Sequence, residues 1–185
     1  MMNKIIVIGS SGAGKTYFSQ RLSELLEVDL IHIDRVYWKP GWTEPAKDEW
    51  RETLSGILRR DSWIIDGNYT ATLEMRLAAC DTAIFLDIRR TLCTWRVIRR
   101  TFRYWRRRRP DMAEGCAEWL DLKFLLFVWN YPNRTRPRIM SMLHSAKPST
   151  RVVHLRSPRD VRQFIAHLER DEGRLPSFPL AVAAK

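Results

Sequence analysis

Residues 9–16 read GSSGAGKT. Glycine, four free positions, then Gly-Lys-Thr is the spacing of a loop that wraps a phosphate. Gly9, Gly12 and Gly14 can take backbone angles closed to other residues, so successive N–H groups can turn onto one centre. Lys15 would then reach the β- and γ-phosphates of a nucleotide, and the Thr16 hydroxyl would ligate Mg²⁺. Such a loop needs a strand before it and a helix behind it, because the helix N-terminus adds partial positive charge. Both are legible. KIIVIG (4–9) is apolar and β-branched, and KTYFSQRLSELLE (15–27) puts Phe18, Leu22, Leu25 and Leu26 on one face. Ser10, Ser11, Ala13 and Tyr17 complete the expected nucleotide-binding stretch. ATP and Mg²⁺ are therefore the expected cofactors.

Outward from this loop, four more short apolar runs follow: LIHID (30–34), WIID (63–66), TAIFLD (82–87) and RVVHLR (151–156). Their near-continuous hydrophobicity predicts strands covered on both faces, as in a parallel sheet. Helical patterns fill the gaps at 45–60, 70–79, 91–108, 118–131, 134–145 and 158–171. Strands alternating with helices predict an α/β fold. In the third of these helices, Leu92, Trp95, Ile98, Phe102 and Trp105 recur every three or four residues and predict an apolar stripe that includes Trp105. Ser157 is a candidate N-cap, with Pro158 in the first turn. The expected organisation is one domain over 1–172, a Trp/Pro/Gly loop at about 35–45, an insertion at about 104–118 and a tail over 173–185.

Three of the predicted strands end in Asp: Asp34, Asp66 and Asp87. Ligands of open parallel sheets sit beyond the carboxyl ends of the strands. Asp66 follows an apolar run, as expected of an acid that holds Mg²⁺ through water. Asp34 could orient or deprotonate an acceptor hydroxyl. Asp87 reads as structural, and His32 reads as a packed histidine. His144, His154 and His167 show no constellation.

The formal net charge is +11, but it is local. Ten arginines and no acid fall between Arg89 and Arg109, and the rest of the chain is near neutral. Arginine suits phosphate because its planar fork binds bidentately and stays charged. A catalytic site needs only a few, so the surplus over Arg99–Arg109 reads either as a solvated helix face or as a non-specific nucleic-acid surface. No reader motif for specific DNA recognition is present. Three widely spaced cysteines favour neither zinc nor a disulfide framework, and fit a reducing cytoplasm. No apolar run approaches the length that spans a bilayer, so no membrane association is expected.

Taken as a set, the phosphate loop, FLDIRRTLCTWRVIRR and RSPRDVRQF resemble the adenylate-kinase-like branch of P-loop kinases. HIDRVYWKPGW, WIIDGNYTATLEMRL and WNYPNRTRPRI are more closely similar to the topology modulation proteins, named for an effect on DNA supercoiling. The resemblance covers roughly residues 3–168. It implies a P-loop NTPase three-layer sandwich: five parallel strands in order 2-3-1-4-5, helices on both faces, and a small arginine-rich lid. It implies ATP-dependent phosphoryl transfer to a nucleotide or other small acceptor by a monomer, or else nucleotide-dependent DNA binding. It places Arg96 on the nucleotide base and Arg100 on its phosphates. Arg134 and Arg138 match the arginines that meet the transferred phosphoryl, and Ser157 and Pro158 lie against the adenine. The acceptor falls to Asp34, Arg35, Trp38, Gly67, Asn68 and Tyr69. The family's monophosphate-gripping arginine is missing after Gly67, which leaves Arg76 or Arg35 as a substitute.

Overall fold

The computed structural model describes residues 2–170, so the expected tail at 173–185 lies outside the described residues. Five parallel strands form one sheet in the order β2-β3-β1-β4-β5. They are β1 (Lys4–Gly9), β2 (Leu30–His32), β3 (Trp63–Asp66), β4 (Thr82–Leu86) and β5 (Arg151–Leu155). Eight helices accompany them among the described residues: α1 (Lys15–Leu26), α2 (Ile33–Tyr37), α3 (Lys47–Leu58), α4 (Leu73–Ala79), α5 (Arg90–Arg103), α6 (Leu122–Arg134), α7 (Arg136–His144) and α8 (Pro158–Arg170).

Alternation along β1 builds both cores. Ile5 and Val7 pack with Phe18 and Leu22 of α1, Cys93 and Val97 of α5, and Phe164 and Leu168 of α8. Ile6 and Ile8 point the other way, onto Trp50 and Leu54 of α3, Leu73 and Leu77 of α4, and Ile139 and Leu143 of α7. The result is the expected three-layer sandwich. After β1 the chain builds β2 and β3 on one side, then crosses to β4 and β5 on the other. The order reverses at β1, so the crevice opens beyond its carboxyl end, where the glycine loop begins.

Helix starts follow local chemistry. The Asp160 amide donates to Ser157 Oγ at 3.2 Å, and the Ser157 amide donates back to Asp160 Oδ2 at 3.0 Å. This reciprocal cap, with Pro158 at the first position, starts α8 where the sequence places it. The 118–131 and 134–145 helices are displaced. α6 runs through Pro132 and breaks at Thr135, because Pro137 has no N–H to continue the ladder.

Two expectations need correction. β2 stops at His32, and Asp34 sits in the first turn of α2, a five-residue helix too short to show a period. The helix expected over 91–108 ends at Arg103, and its buried residues are Cys93, Val97 and Thr101. Trp95, Phe102 and Trp105 are 54%, 63% and 46% exposed. The stripe they form is real, but it faces outward: the inner face uses smaller side chains so that the helix can lie close to the glycine loop.

Candidate nucleotide and acceptor site

The glycine loop is packed against α5. Gly12 has φ +79°, and a Cβ there would lie 2.3 Å from the Cys93 carbonyl oxygen. Arg96, also on α5, donates from Nη1 to the carbonyls of Gly12 and Ala13 at 3.3 and 3.4 Å. The arginine that the resemblance puts on the nucleotide base therefore braces the loop here.

Lys15 Nζ donates to the Gly9 and Ser10 carbonyls at 3.0 and 3.1 Å. Burial lowers its pKa, opposed by the charges of Asp34 and Asp66. Asp34 is raised by burial, against the lowering pull of Lys15 and Arg109. Tyr69 is raised mainly by burial, with the Asp34 charge and a hydrogen bond to Asp34 adding to it. Asp66 is buried, and its Oδ1 lies 2.9 Å from His32 Nδ1. Burial depresses the His32 pKa, but the bond to Asp66 and the charges of Asp66, Asp111 and Asp34 outweigh it, so the net shift is upward. His32 is thus part of the site and not only a packed histidine.

The segment 104–118 forms a small hairpin that reaches the loop. Arg106 and Glu118 exchange backbone bonds with the opposite strand, and Arg108 pairs with Ala117. Of the four consecutive arginines, Arg106, Arg107 and Arg108 are exposed, while Arg109 is buried. Arg109 Nη1 donates to Asp111 Oδ2 at 3.0 Å, and its Nε lies 2.5 Å from Glu118 Oε1. Arg100 Nη2 is 3.8 Å from the same Glu118 oxygen. Thr16 donates its hydroxyl to Asp111 Oδ2 at 3.0 Å. A chain of contacts thus runs from the glycine loop through Asp111, Arg109 and Glu118 to the end of α5.

The hairpin also closes on the loop at 35–45. Met112, Ala113 and Cys116 pack on Trp38 and Trp42. Trp42 Nε1 donates to Ala117 O at 3.0 Å, and the Gly41 amide donates to Gly115 O at 3.2 Å. Trp38 is therefore roofed by the hairpin. Arg35 is exposed on α2.

Two groups of expected site residues lie differently. Arg76 is fully buried and donates from Nη1 to Gly67 O at 3.0 Å and from Nη2 to Tyr69 O at 2.7 Å. It shapes the Gly67–Tyr69 turn from behind and does not offer its fork to an acceptor. Asn68 accepts a bond from the Tyr131 hydroxyl at 3.2 Å. Arg134 and Arg138 are exposed and belong to two helices separated at Thr135. The inward arginine of that segment is Arg136, whose Nε bonds both Asp87 oxygens at 3.0 and 2.8 Å. His154 Nε2 adds a contact to Asp87 Oδ2 at 2.8 Å.

Burial alone would raise the Asp87 pKa, but His154 and Arg136 overcome it and lower the carboxyl below its ordinary 3.8. A lowered carboxyl contributes stability above its unfolded value and loses it as pH falls through the folded one. The expected result is that the urea midpoint of the wild type falls below about pH 4, with a steeper slope than in Asp87→Asn. Equal slopes would remove Asp87 from the acid limb.

His32, Arg109, Asp111, Glu118 and Arg136 escape sequence reasoning. Arg109 is one of four identical neighbours, and only the turn into the hairpin sets it apart. Asp111 had a signal: it is the first acid after Asp87.

No family model and no curated protein matches the chain. Solved structures do. Shikimate kinase from Bacteroides thetaiotaomicron is similar with TM-score 0.57 and 15% identity, over 92% of this chain and 98% of that one. Shikimate kinase from Acinetobacter baumannii, in complex with shikimate, gives 0.55 and 16% over 92% of both chains. Deoxyadenosine kinase from M. mycoides, with bound dATP, gives 0.52 and 11% over 92% of this chain and 100% of that one. At these identities the likeness is one of architecture, and on that ground the chain has the α/β fold of the small P-loop kinases.

Proposed function

We propose that this protein is an ATP-dependent phosphotransferase acting on a small acceptor. The observation that carries the reading is the meeting of charges at the crevice. The hairpin joins Thr16 of the loop, through Asp111, Arg109 and Glu118, to Arg100 of α5, and the charges of Lys15 and Arg109 act on the carboxyl of Asp34. Phosphoryl transfer asks for this set: cations around the moving group, a carboxylate at the acceptor hydroxyl and exclusion of water.

In this reading ATP lies along Gly9–Tyr17, with its phosphates at the loop amides and Lys15. Arg100 and Arg109 neutralise the equatorial oxygens, and Ser157 and Pro158 border the base. Asp34 orients the acceptor hydroxyl, and its raised pKa suits it to take up the proton. Arg35, Trp38, Gly67, Asn68 and Tyr69 border the acceptor. The donor set also fits a hard cation: the Thr16 hydroxyl and the Asp66 carboxylate are oxygen ligands. Among the described residues no three His, Cys, Asp or Glu side chains converge to hold a metal alone. Mg²⁺ would therefore arrive with the nucleotide, ligated by Thr16 with Asp66 beyond a water, and would supply charge neutralisation. The likeness to topology modulation proteins rests on sequence motifs, and the exposed Arg106–Arg108 are the feature that a nucleotide-dependent DNA-binding reading would use.

The test is incubation with γ-labelled ATP and Mg²⁺ against a panel of nucleoside monophosphates and hydroxylated small metabolites. Label moving to one acceptor class supports the reading. Tight ATP binding with transfer to none would overturn it.

The Thr16 hydroxyl donates its proton in the bond to Asp111 and keeps its oxygen lone pairs for a metal. The Asp111 carboxylate repels an incoming triphosphate. Asp111→Ala is therefore expected to bind Mg·ATP about five- to tenfold more tightly by calorimetry, the value of roughly one like-charge contact removed. Weaker binding would instead make Asp111 a helper of the nucleotide.

A further inference from the structure

The outer flank of α5 and α6 carries large apolar side chains that nothing described covers. Trp95 and Phe102 on α5 are exposed two turns apart, with Trp105 just beyond them. On α6, Leu122, Leu126 and Trp129 are exposed at the spacing of one helical stripe, with Phe127 beside it. The Arg90 guanidinium lies 4.6 Å over the Trp129 ring, so the start of α5 and the later turns of α6 are neighbours. Cys93, Val97 and Thr101 are inward on α5 and Val128 is inward on α6, so each exposed stripe lies on the outer side of its own helix. Large apolar side chains exposed in this number on two neighbouring helices mark an interaction surface.

The same flank is strongly cationic. Arg99, Arg103, Arg106, Arg107 and Arg108 are exposed, and no acid occurs from Ile88 to Pro110. Among the described residues, Arg108 alone of these five has an ion-pair partner, Glu114 at 3.8 Å. Arg99 lies over Trp95 at 5.4 Å and Arg103 over Tyr104 at 6.0 Å, so cations and aromatics are interleaved.

We propose that the α5–α6 flank docks on the surface of an anionic lipid bilayer. A second copy of the chain would bring the same five arginines against each other. A nucleic acid would satisfy the arginines and could stack on Trp95 or Trp105, but it offers nothing to Leu122 and Leu126. An anionic bilayer takes both parts: arginines at the headgroups, leucines at the acyl boundary and tryptophans between them. No helix of the described residues is long and apolar enough to cross a membrane, so the contact is peripheral. The sequence expectation of no membrane association is revised by this proposal, which does not depend on the kinase reading.

The test uses the full chain with vesicles of pure phosphatidylcholine and of phosphatidylcholine containing one-third phosphatidylglycerol. Binding is read by co-sedimentation and by tryptophan quenching with brominated acyl chains. Binding is expected on the anionic vesicles only, weakening as salt rises. Leu122→Ser combined with Leu126→Ser, and separately Arg106–Arg108 changed to Gln, should each lower partitioning by about tenfold or more. Unchanged circular dichroism and ATP affinity would show that both variants are folded. The proposal fails if the vesicles do not bind, or if binding is indifferent to the leucines. It also fails if single-stranded DNA binds at lower concentration than the vesicles. A leucine-dependent dimer without vesicle binding would assign the flank to a second copy instead.

Discussion

Lys15→Ala should lower ATP-dependent phosphoryl transfer by about 10²–10³-fold while leaving the fold intact, since this is the scale for removing one preorganised donor to a developing charge. Lys15 Nζ donates to the Gly9 and Ser10 carbonyls, which belong to the loop itself. Loss of those bonds frees two loop oxygens and strips no helix or strand. Burial already disfavours the charged amine, so the folded protein loses little when it is removed. The cost should fall on the step where the amine meets the β- and γ-phosphates. Single-turnover transfer separates the two effects: kcat should fall while the unfolding midpoint stays within about 1 kcal/mol of wild type. A variant that transfers phosphate at the wild-type rate would remove Lys15, and with it the phosphate-loop reading.

Arg76→Ala should destabilise the protein by about 3–5 kcal/mol, the range for leaving buried carbonyls unpaired beside a new cavity. The side chain is fully buried, and burial pulls its pKa down to about 10. Removal would leave the Gly67 and Tyr69 carbonyls without the donors that hold them. Gly67 has no room to adjust: a Cβ there would lie 2.9 Å from Ile33 Cβ, and Ile33 opens the helix that carries Asp34. The turn beside Asp66 and the helix of Asp34 are therefore supported together. Urea denaturation measures the loss, and Arg76→Lys should restore little of it, because one ammonium cannot reproduce the two-pronged contact. A change below about 1 kcal/mol would show that water can take over both carbonyls.

The placement of the glycine loop was legible because every part of its physics is local. Glycines at fixed spacing, a strand before and an amphipathic helix behind lie within two dozen residues. The same holds for the start of α8, whose cap is made by residues three apart. The strand order had a different source, since it came from the motif resemblance and is matched by the register of the sheet. The apolar stripe of α5 shows the limit of periodicity. Trp95 and Phe102 keep a helical spacing whether they face a core or solvent, and hydrophobicity alone does not state the direction.

What the sequence determined by itself is a parallel α/β sheet with a glycine loop at the end of its first strand, because strand period, helix period and loop geometry all act over short distances. The tertiary structure decided which arginines and acids meet. Arg109 turns inward while Arg106, Arg107 and Arg108 stay exposed, because the hairpin seals Met112 and Cys116 onto Trp38 and Trp42. Arg76 is buried behind the turn it supports, and Arg136 takes the carboxylate at the end of β4. The Arg136–Asp87 pair and the seal of the hairpin on Trp38 and Trp42 join residues that are neighbours only after the sheet has formed, and identical side chains along a chain carry no mark of which one the fold will bury.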